Sequence, residues 1–234
     1  MLLGLQTRLL VRTYGTVSPN SQQTESRVAL KVKLEAAQEL RDLIDSIRDA
    51  ESPRTFPHLL MGLFDTLRTT TPSFKRDSVE FQLRRVIVEI VHRISPTEAM
   101  RPQLNSMVNG ILNILQNDTE DNAVTCLKVL HDLLRVMKNM SDEHSSELVQ
   151  IFLHILRNAK GYVDEFLSKD SLTVDANVVI RSNRSLKVLT EIPIVLIILV
   201  QSNSRAALLP LLPEVIGASL EVCLLSRSRL AMVN

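Results

Sequence analysis

QLRRVIVEIVHRISPTEAMRP, residues 82–102, decides the fold class of this chain. Leu83, Ile87, Ile90, Val91 and Ile94 recur at helical spacing and make one apolar stripe. Arg84, Arg85, Glu89 and Arg93 fall mostly outside that stripe. Ser95-Pro96-Thr97-Glu98 then matches a capping box with proline at the first helical position, so a second helix is expected to begin there. A helix, a short stop and a new helix make the unit of a helical repeat array.

The same pattern extends in both directions. Upstream, Val28 to Ala50 reads as a helix with its clearest apolar face at Leu40, Leu43, Ile44 and Ile47. Ser52-Pro53 opens a second, which carries Leu59, Leu60, Leu63, Phe64 and Leu67. Asp77-Ser78-Val79-Glu80 offers a capping-box-like start for the helix of the opening segment. Downstream, Leu104, Met107, Val108, Ile111, Leu112 and Leu115 share one face. Glu120 to Met140 follows, with Ala123, Leu127, Leu130, Leu134 and Met137 on one side. Cys126, Val129, Leu133 and Val136 widen that face, so this helix is expected to be covered on two sides. Ser141-Asp142 starts a helix that turns Leu148, Phe152, Ile155 and Leu156 inward. Leu189, Ile192, Leu196 and Leu199 align in the next, where Pro193 should introduce a kink. A last helix spans Arg205 to Leu225, and Arg227, Arg229 and Asn234 read as a ragged tail.

These elements divide the chain into a leader at 1–27, helical repeats at 28–167, a loop at 168–184 without clear periodicity, and further repeats at 185–234. The expected fold is all-α, an irregular HEAT-like helical repeat array (α-solenoid) of about four helix pairs with a period of roughly 40 to 50 residues. Composition agrees. Aliphatic residues dominate the 45% hydrophobic content, aromatic residues make up 3%, and six Gly and nine Pro are few for 234 residues.

Charge and composition also exclude function classes. A net charge of +1 supplies no global field to recruit nucleic acid or an anionic membrane, and few aromatic rings are present to stack bases. Cys126 and Cys223 lie far apart in apolar helical runs, the pattern of reduced, buried thiols in cytosol or nucleus. Ile192 to Val200 is much shorter than the roughly 20 apolar residues of a membrane span and reads as a buried core helix. Met1 to Thr24 contains no acidic residue and weakly resembles a mitochondrial presequence; a disordered leader or an alternative start is the plainer reading.

Enzyme chemistry has no constellation to rest on. The sequence contains no phosphate-cradling Gly-rich loop, G-x-S-x-G, C-x-x-C or H-E-x-x-H. His131-Asp132 is an acid–base pair in sequence, but adjacent helical residues point about 100° apart. His92-Arg93 matches the start of a kinase catalytic loop, with Ile94 where its Asp would stand. Arg84, Arg85 and Arg93, with Lys75 and Arg76, are expected on an exposed, solvated face interrupted by Glu80 and Glu89. No catalytic, cofactor-binding or metal residue is therefore assigned, and no cofactor or small-molecule substrate is expected.

Three segments carry a family resemblance. QLRRVIVEIVHRISPTEAMRP (82–102), NDTEDNAVTCLKVLHDLLR (117–135) and SLKVLTEIPIVLIILVQ (185–201) resemble, in order, the amino-terminal HEAT region of the TRRAP family. The likeness covers about residues 30 to 220 and weakens before Pro53. It implies a phosphatidylinositol kinase-related protein whose kinase domain lacks catalytic residues and lies far downstream of this region. It implies a nuclear, chromatin-directed scaffold of SAGA-type and TIP-type histone acetyltransferase complexes that receives transcription activators. Protein partners are then expected, with no direct nucleic acid and no membrane. The chain would be an amino-terminal fragment, a truncated gene model or a short isoform. The alternative is a HEAT adaptor of another class, a transport receptor or phosphatase scaffold.

Overall fold

The computed structural model describes residues 4, 19–48, 52–137, 142–159, 161, 177, 179–202 and 209–233. Eight α-helices run through the described residues: α1 (Pro19–Arg48), α2 (Ser52–Thr69), α3 (Val79–Arg93), α4 (Leu104–Asn117), α5 (Glu120–Val136), α6 (Asp142–Arg157), α7 (Leu186–Ser202) and α8 (Leu212–Val233). Three 3-10 turns accompany them, Glu98–Gln103, Ser182–Arg184 and Leu209–Leu211. The all-helical array expected from periodicity is therefore the observed fold. Most of the leader and of the 168–184 loop lies outside the described residues, although α1 begins at Pro19, before Val28, and α8 continues past Leu225.

The helices stack in two layers. The odd-numbered helices α1, α3, α5 and α7 pack in succession, as do the even-numbered α2, α4, α6 and α8. The closest sequence neighbours are α2 with α3, α4 with α5 and α6 with α7. Pairing is thus shifted by one from a count that begins at the first helix. The two-residue turn Asp118–Thr119 joins α4 to α5 and the nine residues Thr70–Ser78 join α2 to α3, whereas the chain leaving α3 runs through the Glu98–Gln103 turn, which packs against α2.

α1 and α3 approach most closely, because α1 presents Ala36 and Ala37, both fully buried, beside Leu40 and Ile44. α3 is covered far beyond a single stripe: Phe81, Leu83, Val86, Ile87, Val88, Ile90 and Val91 are all buried. α5 is buried on two sides as expected, through Ala123, Cys126, Leu127, Val129, Leu130, Leu133 and Leu134, although Val136 stays exposed. The apolar faces read from sequence on α2, α4, α6 and α7 are likewise in the core, but Ile192–Val200 is not the fully buried helix expected: Ile194, Ile197 and Val200 are exposed, because α7 packs on its neighbours through one face only. The side chain of Ile47 lies outside the described residues. The helix of α7 continues through Pro193.

Two helix starts differ from expectation. Ser95-Pro96-Thr97-Glu98 forms no capping box, and Thr97 makes no side-chain cap. Glu98 instead takes Arg101 as its partner, at 2.7 and 2.8 Å. Pro102 accounts for the difference. It has no N–H and its ring would strike the carbonyl four residues back, so α-helix becomes favourable only from Leu104. At α3 the cap is Ser78 rather than Asp77, and Ser78 Oγ accepts from the Phe81 N–H at 3.2 Å.

Candidate functional site

The turns at one edge of the array form a connected polar spine. It includes Thr70–Ser78 between α2 and α3, Asp118–Thr119 between α4 and α5, and Asn177 with Val179–Ser185 before α7. Val179 donates its N–H to the Phe74 carbonyl at 2.9 Å, and Arg76 donates to Asn177 at 3.0 Å. Glu120 donates to Ile180 at 2.9 Å and Ser182 to Asp118 at 2.8 Å, around an antiparallel bridge of Thr119 with Arg181. The Arg181 guanidinium stands 4.2 Å over the Phe74 ring. Part of a segment without helical periodicity is thus ordered by backbone pairing against two other turns. Periodicity alone gives no signal for such pairing.

Arg84 is the centre of this spine, and it corrects the expected exposed basic face. Its side chain is 2% exposed. Nε donates to Asp118 Oδ2 at 2.8 Å, Nη2 donates to the same oxygen, and Nη1 donates to the carbonyls of Leu67 and Thr70. The other Asp118 oxygen accepts from the Thr119 N–H at 2.7 Å and from Asn122 Nδ2 at 3.0 Å. A planar, permanently charged fork can thus cap the end of α2 and clamp the next turn at once. Its partner lies 34 residues away, which is why a helical wheel places Arg84 with Arg85.

The remaining residues singled out by sequence separate. Arg85, Lys75 and Arg76 are exposed, as is His92. Arg93 binds Glu89 at 2.6 Å and reaches Asp45 and the Arg41 carbonyl at 3.5 and 3.4 Å, tying α3 to α1. His131 Nδ1 lies 3.0 Å from Asp132 Oδ1, so these neighbours do meet despite their divergent directions, on a half-exposed part of α5. Cys126 is fully buried, and burial first, then the nearby Asp118 charge, pushes its thiol pKa well up. The side chain of Cys223 lies outside the described residues. A second link joins α5 to α7. Ser185 donates to Glu120 at 2.6 Å and accepts from the Val188 N–H, while Lys187 Nζ stands 2.6 Å from the same carboxylate. The Lys187 pKa is raised by its hydrogen bond to Glu120 and by that charge.

The even layer carries two open clefts. One, of about 450 Å3, lies between α2 and α4 and is lined by Met61, Phe64, Leu67, Asn109, Gly110 and Asn113 among others. The other, of about 340 Å3, lies between α4 and α6 beside Gln116, Gln150, His154 and Asn183. Among the described residues, no group of three or more His, Cys, Asp or Glu could hold a metal ion, and no helix is long and apolar enough to cross a membrane.

Two stacked layers of helices with their turns joined along one edge define a helical-repeat protein of the α-solenoid class. Within that class the chain is similar to the TRRAP-type transcription proteins. It is 28% identical to Transcription-associated protein 1 of Drosophila melanogaster over 104 residues, 44% of this chain and 3% of that protein. It is 25% identical to Transformation/transcription domain-associated protein of Homo sapiens over 104 residues, again 44% and 3%. Transcription-associated protein 1 of Caenorhabditis elegans matches at 25% over 132 residues, 56% of this chain and 3% of that protein. These lengths are shorter than the 30–220 stretch over which the wording of the helices suggests the likeness. The chain spans about 3% of the length of these curated relatives. No protein-family model matches it.

Proposed function

We propose that the chain is a non-enzymatic scaffold segment of a TRRAP-like transcription coactivator, which works in the nucleus as part of histone acetyltransferase complexes and receives transcription activators. The observation that carries this reading is the similarity to proteins named as transcription-associated in fly, human and nematode. The fold supports it. A solenoid offers broad, continuous faces and grooves to protein partners. A buried, protonated Cys126 and a local His131–Asp132 contact fit a structural role better than a nucleophilic one.

Affinity purification of the tagged chain from cells, read by mass spectrometry, tests the proposal. Acetyltransferase-complex subunits together with transcription activators are expected. Recovery of transport cargo or a phosphatase core in their place would assign the chain to another class of HEAT adaptor.

A further inference from the structure

The surface of α4 is unlike the rest of the molecule. Charged residues make up 23% of the chain, yet α4 has none. Its exposed positions include Asn105, Asn109, Asn113 and Asn117, every fourth residue. Asparagine is a poor helix former, and a solvated helix face ordinarily carries Lys, Glu or Arg. None of these four carboxamides has a side-chain partner among the described residues. Two of them, Asn109 and Asn113, line the cleft between α2 and α4, whose other walls include Met61, Phe64, Leu67 and Ile114, with the Asp65–Arg68 ion pair on the α2 side. Gly110 lets the Phe64 ring lie directly on α4, because a Cβ there would stand 2.3 Å from that ring.

We propose that this cleft binds an extended peptide segment, its main chain held by Asn109 and Asn113 and one aliphatic side chain seated between α2 and α4. A carboxamide offers both a donor and an acceptor without charge, matching one peptide group. Residues four apart on a helix rise about 6 Å. Equivalent peptide groups of an extended chain recur every two residues, about 6.6–6.8 Å. Two consecutive asparagines can therefore meet two successive peptide groups of one strand. Their directions diverge by about 40° per step, so the match holds for neighbours rather than for all four. A helical ligand has its own main-chain groups paired and cannot use such a surface. The uncharged α4 wall has the composition of a contact centre, and the exposed Asp65–Arg68 pair on α2 that of its polar rim.

This inference deepens the scaffold reading and rests on it only in requiring a protein ligand. The test uses a displayed library of random ten-residue peptides selected on the full chain, followed by counter-selection on the Asn109→Ala/Asn113→Ala variant. Both side chains are exposed and unpartnered, so the variant is expected to keep the wild-type circular dichroism. Selected peptides should share an aliphatic position rather than a fixed sequence. They should lose about tenfold or more in affinity for the double variant, and similarly when alternate backbone nitrogens are methylated. Equal binding to both proteins, selection of amphipathic helices, or failure to enrich any peptide overturns the proposal. So does self-association of the chain that the double variant abolishes, which would give the cleft to a second copy. Complex membership is read separately by purification, so either reading can fail alone.

Discussion

A single buried side chain, Arg84, joins the end of α2, the body of α3 and the turn before α5. Replacing it leaves the Asp118 carboxylate, 1% exposed, without its countercharge. Arg84→Met is therefore expected to cost about 3–5 kcal/mol. Adding Asp118→Asn should recover part of that loss, because the stranded charge is gone. Urea denaturation of the two variants checks both statements, and equal stability of Arg84→Met and wild type would contradict them. Cys126 gives a pH signature. Its folded pKa is raised, so above the ordinary thiol value of about 8.5 the unfolded chain releases a proton that the folded chain retains. That contribution is fully present below pH ~8.5 and falls by about 1.4 kcal/mol per pH unit above it. Comparison of stability against pH for wild type and Cys126→Ala should show this added slope in the wild type alone. Arg84 was legible only as a basic residue outside an apolar stripe. Its burial depends on an acceptor in another turn, which no local pattern encodes.

Helices as elements were largely written in their periodicity. The apolar faces of α2, α4 and α6 are the buried faces, and two-sided burial of α5 follows from its widened stripe. The starts were less legible. Ser95-Pro96-Thr97-Glu98 has the residues of a capping box, but Pro102 disfavours the α-helix those residues would open, and a 3-10 turn forms in its place. The Val179–Ile180 stretch has no helical pattern, and its order comes from hydrogen bonds to Phe74 and Glu120, elements distant in sequence. The approach of α2 to α4 also depends on one position. Gly110→Ala places a methyl into the Phe64 ring, itself 6% exposed. Overpacking of about 1–3 kcal/mol should outweigh the helix-propensity gain of about 1 kcal/mol. A net loss is expected on thermal melting, with Phe64→Leu restoring part of it. A higher melting temperature for Gly110→Ala would show that the ring is free to move aside.

At the scale of the whole molecule, α7 and α8 leave apolar surface open. α7 is apolar nearly all round and exposes Ile194, Ile197 and Val200 opposite its buried face. α8 exposes Ile216, Leu220 and Leu224 at four-residue spacing. In a solenoid such a surface is covered by a neighbouring repeat or replaced by a polar cap. The isolated chain is expected to self-associate, and Leu220→Glu with Leu224→Glu should reduce this in light scattering. Monodisperse wild-type monomer at high concentration would contradict it.

The turns, and not the helices alone, hold the repeats together. Native-state hydrogen exchange reads it directly at the donors that cross between turns: Arg76, Glu120, Val179 and Ser182. These four amides are expected to be protected in the wild type and to lose protection together in Arg84→Met. Exchange at the rate of an unstructured peptide, while the core amides of α3 and α5 stay protected, would contradict the account.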